Sequence, residues 1–172
     1  MIDTVFGPPL FPPIDSNDIV TLEASAIRSS IQYHTLQGYI SENRIIEYLL
    51  QLQDITDVKK IPDYTKGHGG DVEFYYKSQR YTMEIKTMTM KDNKKGKVSI
   101  TPTRKSDTVH AYRRGDFQLI GMNITNRSIP PLFAHTDKIP THKRDAAFLA
   151  TCMTLDESKQ YTPFTHDLIS LL

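Results

Sequence analysis

The alternation of apolar and polar positions changes period along the chain, and the changes mark out its elements. Leu22, Ile27 and Ile31, with small residues between them, predict a helix at about 17–33. Gly38 interrupts, and a stronger helix is expected at about 41–53, with Ser41 as N-cap and Glu42 in the first turn. Ile45, Ile46, Leu49, Leu50 and Leu52 form its buried stripe. Beyond the turn-forming Pro62-Asp63 and Gly67-His68-Gly69-Gly70, the period drops to two. Val72, Phe74 and Tyr76 line one side of a short strand, and Asp71, Glu73 and Tyr75 the other. Lys77-Ser78-Gln79 is a hairpin-sized turn. The next strand runs from Arg80 to about Met88, with Tyr81, Met83 and Ile85 on one face and Thr82, Glu84 and Lys86 on the opposite one.

The remaining pattern is less regular. Lys91 to Lys97 reads as a polar loop before a short Val98-Ser99-Ile100 strand, and 104–113 reads as helical. Phe117 to Ile124 reads as a buried strand, whereas Ala146 to Leu155 fits helix and strand equally. The first 15 residues contain Pro8, Pro9, Pro12 and Pro13 and are expected to form an extended arm. The order helix, hairpin, helix, strand predicts a single α/β domain over residues 1–172, with a central mixed β-sheet flanked by helices.

Composition narrows the class. With 172 residues, 38% hydrophobic and 24% charged, the chain has room for one globular core. No apolar run approaches the roughly 20 residues that span a bilayer. The N-terminal segment carries acids and prolines where a signal peptide has a basic flank and apolar core, which predicts a cytoplasmic protein. The single cysteine, Cys152, makes no internal disulfide, and no Cys/His cluster suggests structural zinc. The net charge of +1 conceals an asymmetry: residues 59–114 hold 14 Lys and Arg against 6 Asp and Glu, and the others hold 7 against 14. A basic middle third suits either a surface facing a polyanion, where neutralised phosphates release counterions, or a solvated lysine-rich loop.

The chemistry is concentrated in Gly70-Asp71 and, twelve residues on, Glu84-Ile85-Lys86. Phosphodiester hydrolysis needs a divalent metal near the phosphate, an acidified water and cations that offset developing charge. Mg²⁺ typically takes one or two carboxylates and keeps waters and substrate oxygens elsewhere. Asp71 opens one strand of the expected hairpin and Glu84 lies on the other, so both can reach one cation. Lys86 is two residues from Glu84 and projects from the same strand face.

These residues resemble the PD-(D/E)xK nuclease superfamily, with Gly70-Asp71 at the first acid and Glu84-Ile85-Lys86 at the (D/E)xK element. The preceding helix, Gly38 to Glu42 and onward, is similar to the one that often supplies a further acid in that family. The resemblance covers roughly residues 38–125, taken as the catalytic core, and departs at Gly70, where the name-giving motif has proline. It implies a restriction-endonuclease-like fold and Mg²⁺-dependent cleavage, with Mn²⁺ a possible substitute, leaving 5′-phosphate and 3′-hydroxyl ends. Asp71, Glu84, Lys86 and Glu42 would be catalytic, with Asp71, Glu84 and Ile85 holding the metal.

Other residues suit more than one role. Glu42 fits a metal-site acid and also an acid favoured by the helix dipole. Glu47, Glu73 and the loop residue His68 are weaker candidates, read as rim or surface groups. Lys91, Lys94, Lys95, Lys97, Thr103, Arg104, Lys105, Arg113 and Arg114 are the expected DNA contacts. No GxxxxGK[ST] loop suggests a nucleotide cofactor. The leading expectation is a Type II restriction endonuclease acting as a homodimer on double-stranded DNA. A structure-selective repair or Holliday-junction nuclease, a non-catalytic DNA-binding protein, and a structural domain with a surface ion-pair cluster are the alternatives. A nuclease requires its carboxylates to converge on one cation-sized space.

Overall fold

The computed structural model describes residues 31–62, 70–91, 93–100 and 112–172, with the backbone alone at 31–34. The expected arm, most of the expected first helix, His68, and Thr103, Arg104 and Lys105 lie outside the described residues. The chain divides into two compact units, Met1–Ile40 and Ser41–Leu172. The sheet, the core and the candidate site belong to the second.

Helix α1 runs from Ile31 to Gln51, which corrects two expectations. Gly38 does not interrupt it; a glycine inside a helix costs only about 1 kcal/mol relative to alanine, too little to break a helix of 21 residues. Ser41 is not an N-cap. It lies within the helix, fully buried, and its Oγ accepts from Thr87 Oγ1 at 2.8 Å and Asn123 Nδ2 at 3.0 Å. A buried hydroxyl needs such partners, so Ser41 joins helix to sheet. Ile45 and Leu49 follow at one-turn intervals and are fully buried. Leu50, expected in the same stripe, is 59% exposed because it is rotated about 100° from Leu49. Among the described residues, no helix is long and apolar enough to cross a membrane.

The strands are β1 (Ile55–Lys60), β2 (Val72–Tyr76), β3 (Gln79–Met88), β4 (Lys95–Ser99), β5 (Leu119–Ile124), β6 (Leu132–His135), β7 (Thr141–His142), β8 (Asp145–Leu149) and β9 (Cys152–Asp156). The central sheet has the order β1-β2-β3-β5-β6, with β3 and β5 parallel and the other pairs antiparallel. The unit is therefore the mixed α/β fold expected. Its sheet extends past residue 125, since β6 supplies an edge.

The β2–β3 hairpin matches its alternation closely. Its two turn residues, Lys77 and Ser78, both have positive φ, 47° and 66°, the backbone signs of a type I′ turn that suits strand twist. β1 escapes the alternation test because its register shifts between Thr56 and Lys59, with Asp57 at φ 52°, so Ile55 and Val58 are both buried at a spacing of three. Residues 95–97, expected in a loop, belong to β4. The ambiguous stretch 146–155 falls into β8 and β9, which pair with β7 and β4 respectively, so no one period runs through it. The expected helix at 104–113 lies outside the described residues except for Tyr112 and Arg113, and Arg113 makes a β-bridge with Phe148.

The core has two parts, one on each side of the central sheet. Ile45 and Leu49 pack with Val72, Phe74, Met83 and Leu119. On the other side, Met88, Ile120, Met122 and Ile124 pack with residues of β4 and β9. Strand β5 serves both parts and is buried at every position, as expected for a strand covered on two faces. Burying each such side chain contributes roughly 1.5–3 kcal/mol.

Candidate active site

The site is built where β2 begins, beside the middle of β3. Gly70 has φ +102°, and a Cβ there would stand 2.9 Å from Met83 O. Glycine thus permits a backbone approach to β3 that a side chain would block. The next residue is clamped on both sides: Asp71 N–H donates to Met83 O and Ile61 N–H donates to Asp71 O, both at 2.8 Å. One step beyond the Val72↔Met83 pair, Asp71 stands opposite Glu84. The Asp71 carboxylate then replaces the missing strand, with Oδ2 accepting from Ile85 N–H at 2.7 Å.

Glu84 is only 5% exposed and lies in the interior of the sheet. Its Oε1 accepts from Lys86 Nζ at 2.6 Å and from the Tyr112 hydroxyl, while Lys86 Nζ also donates to Tyr112 Oη at 3.3 Å. The Lys86 ammonium lies 5.2 Å from the centre of the Tyr112 ring, which packs edge-on against Phe117 at 4.9 Å. Tyr112 is the residue that sequence reasoning missed. It is 28 positions from Glu84, and no spacing rule couples the two.

Crowding two carboxylates in a buried site has an electrostatic cost. Burial, and then the Glu84 charge, push the Asp71 carboxyl up to about 7; the Ile85 N–H bond and the Lys86 charge oppose this, and Glu42 adds to it. Burial and the Glu84 charge push the Tyr112 hydroxyl far above its ordinary range, so it remains a proton donor. A divalent cation between Asp71 and Glu84 would offset this repulsion.

The donor chemistry fits Mg²⁺. Asp71 Oδ1 and Glu84 Oε2 accept no hydrogen bond among the described residues. Ile85 could contribute only its main-chain carbonyl, which in a strand projects to the same side as its N–H, here toward Asp71. No cluster of three or more His, Cys, Asp or Glu side chains forms a metal cage among the described residues. Two carboxylates, the carbonyl and water suffice for Mg²⁺.

No protein-family model matches the chain, and no curated protein matches it. Among solved structures, a bacterial homing endonuclease, I-Ssp6803I, is similar over 71% of this chain and 74% of its own, at 14% identity and a TM-score of 0.49. A likeness this distant carries no weight for function, which rests on side-chain geometry.

The other expected site residues are dispersed. Glu42 forms an ion pair with Lys60 at 2.5 Å and stands outside the Glu84–Lys86–Tyr112 cluster, although its charge reaches Asp71. Lys91, Lys94, Lys95 and Lys97 are exposed together on and before β4. Arg113 and Arg114 occupy a different place: the Arg113 guanidinium lies 5.5 Å from the centre of the Phe148 ring, and Arg114 Nη2 is 4.0 Å from Asp137 Oδ1. Glu47 is exposed on α1, and Glu73 is paired with Arg80 at 2.5 Å.

Proposed function

We propose that the chain is a metal-dependent endonuclease that hydrolyses double-stranded DNA. The observation that carries this reading is the joining of Asp71, Glu84 and Lys86 at the start of β2, with Asp71 bonded to Ile85 N–H and Lys86 bonded to Glu84. Mg²⁺ held by Asp71, Glu84 and the Ile85 carbonyl would polarise the phosphate and lower the pKa of a bound water. Lys86 is positioned to orient the attacking water and offset charge on the phosphate oxygens. Water oxygen bonds to phosphorus, the bond to O3′ breaks, and the departing oxygen takes a proton, leaving 5′-phosphate and 3′-hydroxyl ends. Symmetric cutting of antiparallel strands would need two copies related by a two-fold axis, which favours a homodimeric Type II restriction enzyme.

The test is incubation of plasmid, phage and branched DNA with Mg²⁺. The wild-type protein should cut plasmid and phage DNA into discrete fragments. Asp71→Ala and Glu84→Ala should abolish cutting while retaining duplex binding in Ca²⁺. Near-normal single-turnover cleavage by either variant would remove these residues as metal ligands. Exclusive cutting of branched DNA would make the enzyme structure-selective, and binding without cutting would leave a DNA-binding protein.

A further inference from the structure

Strands β4 and β9 form an antiparallel ribbon whose two faces differ sharply. Gly96↔Leu155 and Val98↔Met153 form the inner face, packed with Met88 and Met90. A Cβ on Gly96 would meet the sulfurs of Met88 and Met90 at 2.6 and 2.8 Å, so glycine lets the ribbon lie close against the sheet. The alternate pairs, Lys95↔Asp156, Lys97↔Thr154 and Ser99↔Cys152, point outward. Five of these six residues are exposed. The sixth, Asp156, has Oδ1 bonded to Ser158 N–H at 3.0 Å and to Ser158 Oγ at 2.6 Å, and Oδ2 3.7 Å from Lys95 Nζ. Lys91 and Lys94 extend the positive charge through the turn before β4, closed by Lys91 N–H donating to Lys95 O at 2.9 Å.

We propose that this outer face enters the major groove of duplex DNA and reads base edges, an assignment that rests on the nuclease reading above. Strands about 5 Å apart, with their side chains, fit a major groove about 12 Å wide and overfill a minor groove about 6 Å wide. The face carries lysines able to reach guanine O6 and N7 or flanking phosphates, hydroxyls able to donate or accept, and a Thr154 methyl able to meet the thymine methyl. Among the described residues it carries no large apolar side chain that would suit a protein interface. The ribbon also packs on the sheet face that bears Glu84, Lys86 and Met88, so reading and cutting elements share one side of the sheet.

Cys152, the single cysteine of the chain and an exposed one, makes the test possible without substitution. The full-length protein is treated with iodoacetamide in Ca²⁺, with and without a random-sequence duplex pool. At a duplex concentration about ten times Kd, roughly a tenth of the protein is free, so Cys152 alkylation should slow about tenfold. Duplexes whose cytosine N4, in the major groove, carries a tether ending in a mixed disulfide should exchange with the Cys152 thiol, releasing the small outer thiol and linking DNA to protein, in higher yield than duplexes tethered in the same way on guanine N2, in the minor groove. Unchanged alkylation under saturating duplex, or a preference for the minor-groove tether, would overturn the assignment. Plasmid cutting in Mg²⁺ with Cys152 unprotected would sink the ribbon and leave the nuclease. Protection with the major-groove preference but no cutting would do the reverse, and a protein that neither binds nor cuts DNA would lose both readings.

Discussion

Tyr112 touches a proposed metal ligand and the lysine proposed to act on the phosphate: its hydroxyl donates to Glu84 Oε1 and accepts from Lys86 Nζ. Its raised pKa keeps the donated proton in place at any working pH. Tyr112 is therefore expected to orient Glu84 and separate its two oxygens in function, leaving Oε2 for the cation. Tyr112→Phe keeps the ring on Phe117 and removes only the hydroxyl. A hydrogen bond to a charged group is worth about 1.5–3 kcal/mol, so single-turnover cleavage should fall by about tenfold or more. Duplex affinity in Ca²⁺ should stay within about twofold, because no phosphate contact is lost. An unchanged rate would make Tyr112 a packing residue.

At the scale of elements, the site depends on how β2 approaches β3. Asp71 is brought to Ile85 by a backbone that passes Met83 at Gly70, in a conformation that L side chains rarely adopt. Gly70→Ala should therefore destabilise the fold by about 1–3 kcal/mol and also pull Asp71 off Ile85. Native-state hydrogen exchange separates the two effects. The Ile85 amide, bonded to Asp71 Oδ2, should lose more protection than amides in the interior of β5. Equal loss at all positions would mean that the substitution weakens the fold without displacing the carboxylate. The same hairpin was the part of the chain most legible in the sequence, since Val72, Phe74 and Tyr76 alternate without a break. β1 was not legible, because a single irregularity at Asp57 changes its spacing from two to three.

For the whole molecule, the buried Asp71 carboxyl couples stability to pH. Asp71 holds its proton up to about pH 7 in the fold, against about 4 in an unfolded chain. A raised folded-state pKa contributes stability below about pH 4 that is lost as pH rises through 7. Metal-free protein should thus weaken across that window by roughly 2–4 kcal/mol from this group. Asp71→Asn should flatten the decline, and Mg²⁺ should restore part of the wild-type stability at pH 8. Urea midpoints from pH 4 to 9 provide the measurement, and parallel curves for wild type and Asp71→Asn would assign the decline to another group.

Local pattern was enough to place Asp71, Glu84 and Lys86, because strand alternation and a two-residue spacing are properties of neighbouring residues. It was also enough to predict a mixed α/β fold. Only the tertiary structure brought Tyr112 to Glu84, turned Ser41 from an expected cap into a buried link between Thr87 and Asn123, and paired Lys97 with Thr154. Each of these contacts joins residues at least 28 positions apart, where strand order and register decide proximity and no local periodicity records it.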